Sequence, residues 1–228
     1  MKYMGGKARI AKRLAEVMLS TTTDRVGYLE PFVGGAWVLE QMAPHFSAPA
    51  AGDVMLDVAL LWQAVQQGWV PPTEISRERY DELRNAEPSA ERAFAGFGCS
   101  FGGKWFGGYA KNDPSHAADY AGAAHRSIIK KTPVAQRSFI THADYRSWAP
   151  GPGVVVYCDP PYSGAPAWDA DQFWATARQW TADGATVFIS EYSAPADARV
   201  VWSADVLQAL NGARSGTQGT VAEKLFRL

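Results

Sequence analysis

The chain has 228 residues, of which 47% are hydrophobic and 12% aromatic, so it is long and apolar enough for one domain with a sizeable core. Its net charge of -1, from 22 basic and 23 acidic residues, excludes a strongly basic nucleic-acid-binding tail. The two cysteines form no CxxC pair, so the sequence indicates neither a zinc site nor a disulfide framework, and we expect no metal.

The beginning of the chain has no signal-peptide pattern, because Met1 and Lys2 lead into a Gly-Gly-Lys turn rather than an apolar segment. No apolar run approaches the length of a membrane-spanning helix. We therefore expect a cytoplasmic protein with no membrane partner.

The N-terminal part of the chain alternates apolar runs of helical spacing with short strand-like runs. In order, the predicted elements are a helix over 7–19, a strand over 26–32, a glycine turn over 33–35, a helix through 38–42, a strand ending at 53, and helices over 56–65, 77–85 and 90–97. The composition then changes over 96–108, where glycines alternate with Phe, Trp and Cys. This alternation is typical of an ordered functional loop.

The C-terminal part resumes the alternation of helices and strands. Asp113-Pro114-Ser115 is expected to cap a helix that runs to about Lys130. The remaining predicted elements are strands over 139–141 and 153–158, a helix over 170–182, and strands over 186–190, 199–202 and 222–228. This order predicts an α/β fold with a largely parallel, Rossmann-like sheet and helices on both faces. We expect one domain over 1–228, with a mainly helical insertion over about 72–135.

In the segment from Val154 to Tyr162, an apolar β-branched run ends in a carboxylate, two prolines and an aromatic ring. The prolines end the strand, so Asp159 lies at its carboxyl end, where open α/β sheets bind ligands. Methyl transfer to an exocyclic amine suits this set. The Asp159 carboxylate and the Pro160 carbonyl can accept from a planar NH2 while Tyr162 stacks on a flat heterocycle. Alone, these residues fit a proline-stopped strand with a surface tyrosine equally well.

A second motif, from Glu30 to Gly35, ends a strand with two glycines and opens a helix. Glycines let the backbone approach a ligand closely, and a helix N-terminus offers N–H donors. Some 20 residues on, Asp53 ends the next predicted strand, where a carboxylate accepts hydrogen bonds from ribose hydroxyls. Together the two motifs predict an adenosine-containing cofactor, and the lack of a GxxxxGK[ST] run argues against a P-loop ATPase.

Positive charge is concentrated in two stretches although the total is balanced. The first 13 residues carry five cations and no acid, and between Cys99 and Trp148 seven cations stand against three acids with aromatic residues interleaved. This distribution fits a basic face for a polyanion. Solvated helix faces explain it too, and charge alone favours that interpretation.

Taken together, the motifs resemble those of the Dam-like DNA adenine-N6 methyltransferases, a family with a DPPY motif, and the phage-encoded subgroup looks most similar. The resemblance spans essentially the whole chain. The segments that carry it are Tyr3-Met4-Gly5-Gly6-Lys7, Glu30–Gly35, Asp53, Ser100–Gly107, Asp159-Pro160-Pro161-Tyr162, Ile189–Tyr192 and Val221–Leu228.

The resemblance implies that S-adenosylmethionine is the cofactor. It implies a catalytic set of Asp159, Pro160, Pro161 and Tyr162. The residues that match the family's cofactor pocket are Tyr3, Lys7, Glu30, Phe32, Gly34, Gly35, Asp53, Asp144, Tyr145 and Asp159. Among these, Asp53 matches the ribose ligand, and Asp144-Tyr145 matches a segment beside the cofactor adenine.

The resemblance also implies that double-stranded DNA is the partner and that the region from about Arg77 to Lys131 recognises its sequence. The residues expected to contact DNA are Lys104, Trp105, Lys111, Lys130 and Lys131. If the chain is phage-encoded, its location is the bacterial host cytoplasm. The target sequence stays open, with GATC only as the family-level expectation, as do a companion restriction nuclease and a monomeric or weakly dimeric state.

Two segments depart from the family pattern. Ala36-Trp37 follow the glycine turn where another Gly or a Gly-Ser is usual, and Val54-Met55 follow the ribose Asp where Ile-Asn is common. Both concern the fit of the cofactor and leave the catalytic set intact.

The predicted function is therefore transfer of a methyl group from S-adenosylmethionine to N6 of an adenine flipped out of duplex DNA. One alternative is an amino-methyltransferase that acts on cytosine N4, RNA or a protein glutamine. Another, from a different class, is a catalytically silent module that binds DNA or the cofactor.

Overall fold

A computed structural model of the chain describes residues 1–23, 25–110, 119–161, 168–207 and 220–228. The predicted capping segment Asp113-Pro114-Ser115, the predicted DNA contact Lys111 and the predicted stacking residue Tyr162 lie outside the described residues. These three remain predictions.

The described strands, numbered in chain order, form one sheet: β1 (Gly27–Glu30), β2 (Ala48–Asp53), β3 (Phe139–His142), β4 (Val154–Cys158), β5 (Thr186–Glu191), β6 (Arg199–Leu207) and β7 (Thr220–Arg227). Their order across the sheet is β3-β2-β1-β4-β5-β7-β6. The first five strands pair in parallel, whereas β7 is antiparallel to both β5 and β6. The predicted α/β class with a largely parallel, Rossmann-like sheet is confirmed.

The α-helices of the described residues are α1 (Ala11–Ser20), α2 (Trp37–Met42), α3 (Leu56–Gln66), α4 (Arg77–Arg84), α5 (Ala90–Ala93), α6 (Tyr120–Arg137) and α7 (Ala170–Ala182). Side-chain caps begin several of them; the Asp169 carboxylate, for example, accepts a 2.9 Å hydrogen bond from the Gln172 N–H at the start of α7. In the described part of the chain, none of the helices combines the length and the apolar character that crossing a membrane requires.

Helices cover both faces of the sheet, and side chains of the central strands alternate between them. Tyr28, Val155 and Tyr157 pack into a core with α1 to α6 on one face. Val156 and Cys158 pack with α7 on the other. Because both faces are buried, these strands are apolar throughout, as expected for the parallel part of a sheet.

Between α3 and β3, the described residues form three helices and a π-helical turn over Phe94–Gly98, which continues α5 directly. This is the region predicted as a mainly helical insertion. The composition of 96–108 indicated a loop, whereas the structure starts that stretch within the π turn. A 3-10 turn over Phe101–Gly103 follows.

Two elements extend at least five residues further than the sequence predicted. Helix α6 runs to Arg137 rather than to about Lys130, since it continues through Pro133 to bury Val134 and Ala135 against the core. A proline inside a helix is costly, which is why the pattern indicated an earlier end. Strand β6 continues past 202, because it pairs with β7 up to Leu207 after an irregularity between Val200 and Trp202.

Burial on the sheet predicts how two phenylalanines contribute to stability. Phe188 on β5 is 0% exposed, whereas Phe139 on the edge strand β3 is 63% exposed. We expect Phe188→Ala to lower the free energy of unfolding by about 3–5 kcal/mol. The matched substitution Phe139→Ala should change it by less than about 0.5 kcal/mol. Urea unfolding followed by circular dichroism measures both, and equal losses would contradict the arrangement of the sheet.

Candidate active site

A pocket of about 650 Å³ opens at the edge where the parallel strands end. The strand order reverses there. The chain passes from β1 to β2 on one side of this point and from β4 to β5 on the other side. Open α/β sheets form their ligand crevice at such a point. The lining comes from the segments after β1, β3, β4 and β5, the end of β2, the segment before α1, the first residues of α2 and α7, and part of the inserted region.

The turn after β1 has a backbone that only a few residue types adopt readily. Gly34 has a φ of 41° and Ala36 a φ of 52°, both in the left-handed region. This conformation turns the chain sharply from the strand into α2. The Gly34 carbonyl oxygen then accepts a 2.9 Å hydrogen bond from the Trp62 indole N–H of α3, which anchors the turn from below.

Glu30 is the last residue of β1 and is only 2% exposed. It accepts a 2.8 Å hydrogen bond from the Tyr28 hydroxyl. Burial raises the pKa of Glu30 well above its usual value. The hydrogen bond from Tyr28 opposes this shift, whereas the charges of Asp159 and Asp53 increase it. A carboxyl group in such surroundings retains its proton more readily than an exposed one.

Asp53 at the end of β2 links two strands of the site. Its Oδ2 accepts a 3.0 Å hydrogen bond from the Gly34 N–H, and its Oδ1 a 2.9 Å hydrogen bond from the Met55 N–H. Burial raises the pKa of Asp53 to about 6, although the N–H groups of Met55 and Gly34 and the charge of His142 oppose the shift. The structure therefore brings the predicted ribose carboxylate into contact with the predicted glycine turn.

Asp159 follows β4 directly and lies in the pocket with a side chain that is 20% exposed. The Lys7 ammonium donates to Asp159 Oδ1 at 2.6 Å. Lys7 Nζ also lies 3.4 Å from Glu223 Oε1 of β7. Burial alone lowers the pKa of Lys7, but the carboxylates of Asp159 and Glu223 outweigh it and hold the pKa above that of an ordinary lysine. A charged ammonium is thus fixed beside the predicted catalytic carboxylate.

One wall of the pocket joins the start of the chain to the inserted region. The Tyr3 ring contacts the Phe97 ring at a centroid distance of 4.5 Å, and Phe97 contacts Trp105 at 4.8 Å. The Met4 N–H donates to the Gly103 carbonyl oxygen at 3.0 Å. Gly103 has no room for a side chain, because a Cβ there would lie 2.8 Å from the Tyr3 backbone nitrogen. The two segments therefore form a single packed wall.

The opposite wall is aromatic. Phe32 stacks on Tyr145 at 5.5 Å and meets Trp168 edge-on at 5.9 Å. Asp144 caps the turn that carries Tyr145, and its carboxylate accepts hydrogen bonds from the Arg146 guanidinium at 2.8 and 2.7 Å. These hydrogen bonds hold the pKa of Asp144 below its usual value. The wall thus offers a flat apolar surface beside a charged pair at the rim.

The structure brings all ten predicted cofactor residues together, since each lines the one pocket at the switch point: Tyr3, Lys7, Glu30, Phe32, Gly34, Gly35, Asp53, Asp144, Tyr145 and Asp159. Pro160 and Pro161 of the predicted catalytic set also line it. Trp105 lines it too, in the wall next to Phe97, rather than projecting from the surface.

The lysines predicted to contact DNA have different surroundings. Lys104 is exposed on the inserted region. Lys130 is exposed but lies 2.7 Å from Glu40 Oε1. Lys131 is 1% exposed, with its ammonium 3.3 Å from Glu40 Oε2 and 3.3 Å from the Trp37 ring centre. Burial lowers the pKa of Lys131 to about 8. This placement does not leave Lys131 available to a phosphate, so a contact with DNA is not supported there.

The two departures from the family pattern have structural outcomes. The Trp37 indole covers the glycine turn, since a Cβ on Gly35 would lie 2.9 Å from its Nε1. The backbone of Met55 still donates to Asp53, and the Val54 side chain is 62% exposed. Trp37 and Val54 both line the pocket, and the hydrogen bonds of Asp53 are present beside them.

Several residues in or next to the pocket were not predicted from the sequence, and two of them have contacts that bear on the site. Glu223 interrupts the apolar run of β7 with a carboxylate, and its side chain is only 7% exposed. A charge inside a terminal strand is the signal that would have indicated it. Trp168 precedes α7 and packs on Phe32, and no sequence pattern marks it as a pocket residue. Among the described residues, no group of three or more His, Cys, Asp or Glu has the geometry of a metal site.

No protein-family model matches the chain, and no curated protein matches it by sequence. Solved structures that resemble it include a conserved hypothetical protein of Streptococcus pyogenes, yhhF of Escherichia coli, provisionally described as a methyltransferase, and the 23S rRNA methyltransferase ErmE. Their identities are 10%, 11% and 11%, with TM-scores of 0.41, 0.41 and 0.43. The matches cover 95%, 96% and 99% of this chain and 94%, 85% and 70% of the others. At such values they carry no argument about activity.

The raised pKa of Asp53 predicts how stability depends on pH. In the unfolded chain the carboxyl group titrates near pH ~4, and in the folded chain at about 6. Because the folded state binds the proton more tightly, the stability that Asp53 contributes is fully present below about pH 4 and is lost as pH rises through about 6. The unfolding free energy of the wild type, minus that of Asp53→Asn, should fall by on the order of 2–3 kcal/mol between about pH 4 and pH 7.

Urea titrations of both proteins at four pH values measure this difference directly. The substitution also removes one acceptor for the N–H groups of Gly34 and Met55, which lowers stability by an amount that does not depend on pH. A constant difference across the range would show that Asp53 titrates normally.

Proposed function

We propose that this protein is an S-adenosylmethionine-dependent methyltransferase that transfers a methyl group to N6 of an adenine in DNA. The observation that carries the proposal is the position of Asp159. Its carboxylate follows β4 at the switch point, is succeeded by Pro160-Pro161, and shares one pocket with Gly34, Gly35 and Asp53. The predicted amine-binding and adenosine-binding groups thus line the same cavity.

The pocket residues fit S-adenosylmethionine. Among the described lining residues there are five acidic side chains and two cations, so groups of both signs are available to a ligand that carries a sulfonium, an ammonium and a carboxylate. Asp53 lines the pocket at the end of β2, where a carboxylate can accept from ribose hydroxyls in addition to the N–H groups of Gly34 and Met55. The aromatic wall of Phe32 and Tyr145 offers a flat surface that suits an adenine. The bound cofactor supplies an electrophilic methyl group.

The chain itself positions the amine that receives this methyl group. A planar NH2 has two N–H donors, and the adjacent residues Asp159 and Pro160, which both line the pocket, offer a carboxylate and a carbonyl oxygen as acceptors. When these two acceptors each accept a hydrogen bond from the NH2 group, the nitrogen lone pair turns toward the methyl group. Positioning of this kind is worth up to ~7–11 kcal/mol in well-oriented reactions. As the new N–C bond forms, the methyl group would leave its sulfur, and the nitrogen, which becomes acidic once it carries the methyl group, would release one proton to water. A strong base is therefore not required.

The choice of DNA adenine rests on the family resemblance and on the inserted region. An adenine within a duplex has to be flipped out to reach such a pocket. Lys104 and the half-buried Trp105 lie on the insertion beside the pocket wall, where a cation and aromatic rings suit a nucleic acid. An amine in RNA or protein is chemically equivalent at Asp159, so the substrate class needs a direct assay.

The assay compares duplex DNA, RNA and protein as acceptors of a tritiated methyl group from S-adenosylmethionine. We expect label in DNA alone. Expression in a host without DNA methylation, followed by sequencing that detects N6-methyladenine, then gives the base and the sequence context. Label confined to RNA or protein would replace DNA as the substrate, and label in none of them would end the proposal.

Loss of the carboxylate at position 159 should stop transfer without loss of binding. We expect Asp159→Ala to lower the methyl-transfer rate by about 10²–10³-fold or more, because it removes an interaction made with the reacting amine. DNA affinity, measured by fluorescence anisotropy, should change little. The control is Asp197→Ala, which breaks an exposed 2.6 Å ion pair with Arg178 outside the pocket. Transfer retained in Asp159→Ala would exclude the assigned role.

The surroundings of the lysines predict different effects on DNA binding. Lys104→Ala should reduce the slope of log K against log salt by about 1, as expected when one phosphate contact is lost. Lys131→Met should leave that slope unchanged, since Lys131 is buried against Trp37 and Glu40. Anisotropy titrations at several salt concentrations provide both slopes. A smaller slope only in the Lys131 variant would contradict the assignment of the basic face.

A further inference from the structure

A buried carboxylate reaches the site from β7, an element that carries none of the predicted site residues. Because β7 runs antiparallel to β5, its early residues lie at the edge of the sheet where the parallel strands end. Glu223 shares a face of β7 with Leu225, which is fully buried in the core. Its Oε1 lies 3.4 Å from Lys7 Nζ, and the two side chains are 7% and 6% exposed. Solvent therefore screens this pair only weakly.

Lys7 lies between acceptors from three separate parts of the chain. Its Nζ lies 2.6 Å from Asp159 Oδ1, 3.4 Å from Glu223 Oε1 and 3.1 Å from the Gly5 carbonyl oxygen. An ammonium has three donors, so three acceptors suffice to fix where it lies. The fixed ammonium in turn restricts the rotation of the Asp159 carboxylate.

We propose that Glu223 is a positioning residue that acts on Asp159 through Lys7. Glu223 keeps the buried ammonium charged and in place, and the ammonium orients the carboxylate that receives the substrate amine. The identity of that amine rests on the proposed function. The coupling among the three side chains does not, because it follows from their distances and burial alone.

Electrostatics explains why one carboxylate is not enough. A buried ammonium is costly unless it is paired, and burial lowers its pKa. In the native protein Asp159 and Glu223 together overcome this effect. Without Glu223 the ammonium loses a buried anion, so it loses its proton at a lower pH and then holds Asp159 less firmly.

Other titratable groups surround the ion pair, so the titration has to be followed at Lys7 itself. Burial raises the pKa of each of them: Tyr3, Glu30, Asp53 and Tyr157. A pH profile of activity alone would combine their protonation with that of Lys7.

The test compares Glu223→Gln, Glu223→Asp and the control Lys224→Gln in the full chain. Lys224 is the next residue of β7 and faces the opposite side of the strand. For each protein, the Lys7 ammonium is titrated by heteronuclear NMR after assignment with Lys7→Arg. The kcat and KM for S-adenosylmethionine are measured against pH, and thermal unfolding monitors folding.

In Glu223→Gln we expect the acid dissociation constant of Lys7 to increase about tenfold, which is a fall of about one pKa unit. The kcat should fall about tenfold with KM for S-adenosylmethionine unchanged, and the alkaline limb of its pH profile should move to lower pH. Glu223→Asp should lower the pKa of Lys7 and the kcat less than Glu223→Gln does. Lys224→Gln should show neither.

An unchanged titration of Lys7 in folded Glu223→Gln would overturn the proposal, as would an equal shift in Lys224→Gln. A wild-type protein that methylates neither DNA, RNA nor protein would instead overturn the proposed function. The NMR titration would still decide whether Glu223 controls Lys7. Should Glu223→Gln not fold, the Glu223→Asp titration decides, since a longer gap to Lys7 should also lower its pKa.

Discussion

The reversal of strand order between β1 and β4 is the constraint on which the rest of the site depends. Neighbouring parallel strands end at the same edge, so β1, β2, β4 and β5 present their last residues together. The connection after β1 leads to one side of the sheet and the connection after β4 leads to the other side. A crevice forms between these two connections without any special loop. Glu30, Asp53 and Asp159 are therefore neighbours in space although well over a hundred residues separate the first from the last.

The same constraint concentrates negative charge, which has to be balanced. Glu30 and Asp53 are buried at the edge of the sheet where the parallel strands end. Both have raised pKa values because burial disfavours their charged forms. Lys7 offsets this locally by pairing with Asp159 and Glu223. A buried ion pair contributes little net stability, because the cost of removing the charges from water offsets their attraction.

Most of the fold, and the positions of Asp159, the glycine turn and Asp53 at one edge of the sheet, followed from local sequence patterns. The apolar run of β4 and the proline stop placed Asp159, and the glycine turn and Asp53 placed the other half of the pocket. Such patterns are readable because each depends on a few adjacent residues. The length of α6 was not readable, since burial of Val134 and Ala135 offsets the local cost of Pro133.

Contacts between distant segments were not predicted, because local sequence patterns depend only on adjacent residues. Glu223 belongs to the site only because β7 inserts antiparallel beside β5, and that pairing is a property of the whole sheet. Lys131 has the composition of a surface cation, yet the packing of α6 on α2 buries it under Trp37. Charge counts along the chain cannot distinguish a cation that faces solvent from one that neutralises a buried carboxylate.

The close approach of Gly103 to Tyr3 has a consequence for how such a protein can diversify. The region between α3 and β3 shares a wall with the first residues of the chain, through the Met4–Gly103 hydrogen bond and the Tyr3–Phe97 ring contact. The region between α3 and β3 therefore cannot be exchanged for that of another protein on its own. A graft of this region from another protein would have to bring a matching N-terminal segment, or the wall that both of them build would be left with a gap.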